Sequence, residues 1–93
     1  MNGPVSDIAR IFAESRDPRL IAAFLRQLLT RAELRDIGSR WELVQMLHAG
    51  RSQREISRRL GLSLCKITRG SRELKKKDGA FLKVLRAKEN SHG

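Results

Sequence analysis

A chain of 93 residues with a formal charge of +10 has room for one small domain, and its four aromatic residues are sparse. Cys65 is the only cysteine, which excludes an internal disulfide and a cysteine-based zinc site, and His48 and His92 lie too far apart in sequence to suggest a metal pair, so no metal is expected. The longest apolar run, 20–25, is far short of a membrane span, and no secretory pattern opens the chain, so the expected setting is cytoplasmic with no membrane partner. A chain this short buries a modest fraction of its surface, which makes oligomerisation an expected source of stability.

The apolar periodicity is helical throughout, and no strand pattern or internal repeat occurs; the expectation is an all-α fold of about six helices. Met1 to Pro4 reads as a loose end. Ser6 is placed to cap a first helix reaching about Ser15, with Ile8, Ile11 and Phe12 on one face. Arg16-Asp17-Pro18 interrupts it, because proline disfavours the helical conformation in the residue before it, and Pro18 suits the first turn of a second helix. That helix runs to about Leu29. Leu20, Ile21, Phe24, Leu25, Leu28 and Leu29 cover more than half its circumference, so it has to be covered on several sides.

Thr30 with Glu33 forms a capping box for a long third helix, from Arg31 to about His48, whose stripe is Leu34, Ile37, Trp41, Val44 and Leu47. Gly50 fits its C-terminal stop. Ser52 with Glu55 forms a second capping box and opens a fourth helix ending at Leu60. Gly61 makes the turn, and Ser63 caps a fifth helix to about Lys76, which Asp78-Gly79 ends. A last helix, about Ala80 to Lys88, carries Phe81, Leu82, Val84 and Leu85, and the polar tail from Glu89 to Gly93 reads as mobile.

The positive charge is concentrated in residues 51–77, which hold ten cations and two anions. Charge localised in this way favours a polyanionic partner over a merely solvated face. The same stretch has the pattern of a helix-turn-helix. Ile56, Leu60, Leu62 and Ile67 supply an apolar wedge, Ser57 is small where the helices approach, and Gly61 can take the left-handed conformation of the turn. An ordinary helical hairpin is the bland alternative. In a reader of double-stranded DNA the second helix enters the major groove by its N-terminal half. Leu64, Cys65 and Thr68 then face base edges, whereas Lys66, Arg54, Arg58 and the Ser52-Gln53 end of the fourth helix suit phosphates. Gln53, Arg54, Ser57, Arg58, Leu64, Cys65, Lys66 and Thr68 are therefore the candidate DNA-binding residues. Cys65 reads equally as a half-buried packing residue. Lys75, Lys76 and Lys77 read equally as cations attracted to the helix C-terminus and as a long-range attraction for DNA.

Ile67-Thr68-Arg69-Gly70-Ser71, followed by Leu74-Lys75, closely resembles the end of the reading helix in the bacterial tryptophan repressor family. Upstream, Ser52-Gln53-Arg54-Glu55 is similar to that family's Ser-Gln-Arg-Glu, and Leu29-Thr30 and Gly38-Ser39-Arg40 to its Leu-Thr and Gly-Thr-Arg elements at the same mutual spacing. The resemblance covers about residues 25–75. It implies one domain over 1–93, an intertwined homodimer whose core helices occupy 5–50 and 79–89, and a DNA-reading head at 52–76. It also implies L-tryptophan as corepressor, bound between the third helix and the reading helix. Arg40 and Arg69 would sandwich the indole, a task for which a flat guanidinium is suited. Arg69 and Thr30 would hold the carboxylate, and backbone carbonyls near Gln27 and Leu29, from the partner chain, the amino group. Gly70 would let the ligand approach the helix.

Three departures from the family pattern stand out. Arg72-Glu73 replaces Asn-Ser, and that serine helps bind the ligand's amino group; Glu73 could do so as a carboxylate, fill the pocket, or pair with Arg40 or Arg69. The turn near Arg51 is one residue shorter. Cys65 replaces a small alanine. The ligand-binding candidates are thus Leu29, Thr30, Arg40, Arg69, Gly70 and Glu73, with L-tryptophan as ligand and no further cofactor. The leading expectation is a tryptophan-gated, sequence-specific repressor. The same fold gated by another amino acid or an indole relative, or not gated, is the second reading, and a sequence-blind architectural DNA protein the third. No nucleophile–base set or clustered carboxylate pair points to an enzyme.

Overall fold

The structure, a computed structural model, describes residues 3–91. Six helices follow one another: α1 Pro4–Glu14, α2 Pro18–Leu28, α3 Arg31–His48, α4 Gln53–Leu60, α5 Leu64–Leu74 and α6 Ala80–Ser91. Among the described residues there is no strand, and no helix is long and apolar enough to cross a membrane. The chain forms two compact units, Met1–Arg35 and Asp36–Gly93.

In the first unit, α1 starts earlier than Ser6 would allow. Gly3 occupies the N-cap without a side-chain bond and Pro4 opens the helix. Proline's preset φ and missing N–H suit a first helical position, so Ser6 ends up inside the helix and caps nothing. At α2, Asp17 accepts a hydrogen bond from the Arg19 N–H at 3.0 Å. Phe12 of α1 meets Phe24 of α2 edge-to-face, with ring centroids 6.2 Å apart. Neither helix contains a buried residue. Val5, Ile11, Phe12, Leu20 and Leu28 are all exposed, although both helices are strongly amphipathic.

The capping box of α3 forms in full. The Glu33 N–H donates to Thr30 Oγ1 at 3.1 Å, and the Thr30 N–H donates to Glu33 Oε1 at 2.8 Å. The backbone bond from Thr30, with the side-chain bond beside it, holds the Glu33 carboxyl below the usual glutamate range. At the other end, the Gly50 N–H bonds the Leu47 carbonyl and the Arg51 N–H reaches the Met46 carbonyl, with Gly50 at φ +85°. This is the Schellman arrangement, which satisfies the last carbonyls of a helix and requires a left-handed residue.

The second unit holds the core. Leu43 of α3, Ile56 of α4 and Ile67 of α5 are buried together, with Met46, Leu47, Leu60 and Leu62 packed around them; Val44 and Leu85 are also buried. Sequence periodicity puts Ile37 on the α3 stripe and leaves Leu43 off it. The structure leaves Ile37 exposed and buries Leu43, because the face that counts is set by where α4 and α5 lie. Two polar contacts fasten α6 to α3: Lys88 Nζ donates to Gln45 Oε1 at 2.6 Å, and His48 Nε2 lies 2.8 Å from Glu89 Oε1. Lys88 also sits over the Trp41 ring. The helix therefore runs through Glu89 and Asn90 to Ser91, where a mobile tail was expected; residues 92 and 93 of that tail, His92 included, lie outside the described residues. The expected loose end likewise contracts to Gly3, with Met1 and Asn2 outside the described residues.

Candidate ligand pocket and nucleic-acid face

Helices α4 and α5 are locked by three local devices. Ser52 Oγ accepts from the Glu55 N–H at 3.1 Å, and Ser63 Oγ from the Lys66 N–H at 3.3 Å, which caps each helix. Between them Gly61 is left-handed, at φ 66° and ψ 28°. The second capping box is only half made. Glu55 does not return a bond to Ser52; its carboxylate pairs instead with Arg51 at 3.2 Å, a charged partner winning over an amide.

Ser57 is half-buried and its hydroxyl donates to the Leu62 carbonyl at 2.8 Å, across the turn. Of the candidate DNA-binding residues it is therefore the one the structure uses internally. Gln53, Arg54, Arg58, Leu64, Cys65, Lys66 and Thr68 are exposed. Cys65 is a free thiol in solvent, so its packing alternative fails: Ile67, two positions on, takes the buried face of α5. Arg54, Arg58, Arg59, Lys66, Arg69 and Arg72 are all exposed, and none forms an ion pair with a described residue. A rigid helix pair thus presents a field of uncompensated cations, with Leu64, Cys65 and Thr68 on the same short helix.

Beside this face lies a cavity of about 360 Å³. Asp36, Ser39, Arg40, Leu43 and Val44 line it from α3, Lys66, Arg69, Gly70 and Glu73 from α5, Leu62 from the turn and Phe81 from α6. Arg40 and Arg69 therefore converge on one space from separate helices, and neither has an ion-pair partner among the described residues. Glu73 lines the cavity but pairs with neither arginine. Its carboxylate is held by Lys76, with Nζ 2.9 Å from Oε2. That contact also places the lysine run: α5 ends at Leu74, Lys76 is taken up by Glu73, and Lys75 and Lys77 stay exposed. Leu29 and Thr30 belong to the first unit, where Leu29 is the C-cap of α2 and Thr30 caps α3.

Gly70 is buried, and packing against α3 requires its lack of a side chain. A Cβ built there would stand 2.8 Å from Leu43 Cδ2 and 3.3 Å from its Cγ. The missing side chain lets α5 approach Leu43 of α3 closely, and both residues line the cavity.

Sequence reasoning does not single out Asp36, Ser39, Leu43, Val44 and Phe81 as wall residues, and it gives Lys66 to DNA alone. A signal existed for most of them. Positions 36, 39, 40 and 43 of α3 and positions 66, 69, 70 and 73 of α5 each recur at helical spacing, so each set shares one helix face. Phe81 had no such signal, since only the fold of α6 brings it there.

The family model described as "Trp repressor protein" matches residues 7–89. A "Trp operon repressor homolog" of Chlamydia caviae is 33% identical over 88 residues, covering 94% of this chain and 87% of that one. A protein of the same description from Chlamydia trachomatis serovar L2 is 40% identical over 58 residues, covering 61% of this chain and 62% of its own length. Another, from Xylella fastidiosa, is 41% identical over 51 residues, covering 54% and 55% respectively. No solved structure matches. With the family match spanning both the cavity and the basic helix pair, the chain belongs to the Trp repressor protein family, whose members are DNA-binding regulators of transcription.

Proposed function

We propose that this chain is a cytoplasmic, homodimeric repressor that binds operator DNA when L-tryptophan fills the cavity between α3 and α5. The convergence of Arg40 and Arg69 on one cavity carries the reading. A flat ring between two guanidinium planes gains cation–π attraction on both faces, and the volume falls in the range of small-molecule sites. Lys66 and Arg69 line the cavity and also stand on the exposed basic helix, so an occupant bears directly on the orientation of α5. In this reading α4 and α5 are the helix-turn-helix head. Arg54, Arg58 and Gln53 bind phosphates, and Leu64, Cys65 and Thr68 meet base edges. The exposed apolar faces of α1 and α2 form the core of the homodimer.

Fluorescence anisotropy on a DNA site selected from a random pool, with and without L-tryptophan, tests the proposal. Coupling of ordinary size raises affinity about 5- to 150-fold. Arg40→Ala and Arg69→Ala should abolish the increase, and Arg69→Ala should weaken DNA as well. Equal affinity with and without ligand would refute gating, and equal affinity for random competitor DNA would refute a specific repressor.

A second reading, in which another amino acid is the signal, is favoured by one observation: a carboxylate, Glu73, stands in the wall beside the two arginines. Calorimetry against a panel of amino acids separates the two.

A further inference from the structure

We infer that α6 is a clasped wall of the ligand pocket: Phe81 touches the occupant, and Gln45 and His48, which lie outside the cavity, position Phe81 by holding the far end of α6. The inference rests on the cavity being the ligand site. The walls from α3 and α5 carry five charged side chains, and among the described residues lining the cavity Phe81 is the only aromatic one. Its ring edge offers a flat ligand a contact that two stacking guanidiniums do not. A short turn brings it there. Helix α5 ends at Leu74, the Lys76 N–H donates to the Glu73 carbonyl at 3.3 Å, and the Gly79 N–H donates to the Lys76 carbonyl at 3.1 Å, with Asp78 left-handed at φ 60°. Helix α6 then starts at Ala80, and Phe81 is its second residue.

Beyond Phe81 the helix is attached thinly. Leu85 is the one buried residue of α6 among those described, and Val84 is exposed. A helix with so little buried apolar surface opens locally at small cost. The polar ties near its C-terminal end therefore matter: Lys88 Nζ donates to Gln45 Oε1 at 2.6 Å, and His48 Nε2 lies 2.8 Å from Glu89 Oε1. Both ties run to α3, which also supplies a wall of the cavity, so they hold Phe81 against the space that Arg40 faces. Each tie changes the fraction of molecules in which α6 is docked, and ligand affinity scales with that fraction.

Calorimetry with L-tryptophan on the full chain, at one fixed protein concentration, tests the arrangement. Phe81→Ala should weaken binding about tenfold, the upper worth of an aromatic contact, and Phe81→Leu, which keeps apolar bulk and loses the ring, should fall between parent and alanine. Gln45→Ala combined with Glu89→Ala cuts both ties without touching the cavity and should weaken binding about three- to fivefold, the upper worth of exposed polar pairs. Added to Phe81→Ala, the same two changes should cost no further affinity, because the ties act through Phe81; a merely structural role would leave the losses additive. By reciprocity, saturating L-tryptophan should slow amide exchange in α6 of the parent, and should not do so in Phe81→Ala. Unchanged affinity in Phe81→Ala, unchanged affinity with both ties cut, additive losses, or exchange in α6 that ignores the ligand would each overturn the inference while leaving the ligand site intact. Failure of L-tryptophan to bind the parent would instead sink the tryptophan reading of the cavity, and this inference with it.

Discussion

Replacing Gly70 by alanine tests the packing that makes the cavity. In an open helical position the change from glycine to alanine stabilises by about 1 kcal/mol, through lost freedom in the unfolded chain. Gly38, inside α3, is such a position, with nothing within 4 Å of an added Cβ. Gly70 is not. Its Cβ would lie 2.8 Å from Leu43 Cδ2, 3.3 Å from Cγ and 3.6 Å from Leu47 Cδ1. Leu43 is 3% exposed and packed with Ile56 and Ile67, and the cavity it lines gives it room to yield on one side only. Overpacking of this kind costs about 1–3 kcal/mol. Gly70→Ala should therefore range from neutral to about 2 kcal/mol destabilising, and Gly38→Ala should be stabilising by up to about 1 kcal/mol. Urea unfolding followed by circular dichroism, at one fixed protein concentration, resolves the difference as a midpoint gap of roughly 1 M. Leu43→Ala supplies the cycle. Alone it costs about 2–5 kcal/mol, but in the Gly70→Ala background the vacated space receives the new methyl, so coupling of about 0.5–3 kcal/mol is expected. If Gly70→Ala proved as stabilising as Gly38→Ala, or the two sites were additive, the α3–α5 contact described above would be wrong.

Further outcomes follow from individual contacts. Ser57→Ala removes the half-buried bond to the Leu62 carbonyl and should cost about 1 kcal/mol in urea unfolding, with no change in the salt slope of DNA binding. Arg54→Ala or Arg58→Ala should each reduce that slope by about one while leaving ligand affinity unchanged, whereas Lys66→Ala should alter both, since Lys66 also lines the cavity. Glu33 has a lowered carboxyl pKa in the fold, so its contribution to the α3 N-terminus is complete above the ordinary value of 4.5 and fades as pH falls through the lower folded value. An NMR titration should put the Glu33 midpoint below that of a free glutamate, and Glu33→Gln should remove this part of the acid sensitivity of the first turn.

Much of the molecule was legible from local chemistry. The Thr30–Glu33 box, the Gly50 stop, the Gly61 turn and the Ser63 cap each involve residues within a few positions of one another, so spacing alone identifies them. The basic helix pair was equally legible, because charge and an apolar wedge in one short stretch need no distant partner. Ser6 and the second half of the Ser52 box failed for a related reason: another neighbour, Pro4 in one case and Arg51 in the other, competed better than expected.

What the tertiary structure decided was which faces meet. Leu43, and not Ile37, became core because α4 and α5 dock on that side of α3. Arg40 and Arg69 are 29 positions apart, and nothing in their own neighbourhoods shows that they line one cavity. Glu73 could have turned to either arginine, but the end of α5 puts Lys76 within 2.9 Å, and the shorter path won. Local order follows from hydrogen bonds within a turn or two of helix, which the residue sequence encodes directly. Juxtaposition across helices depends on how apolar faces distribute themselves over the whole chain, and that balance exists only once the helices have packed.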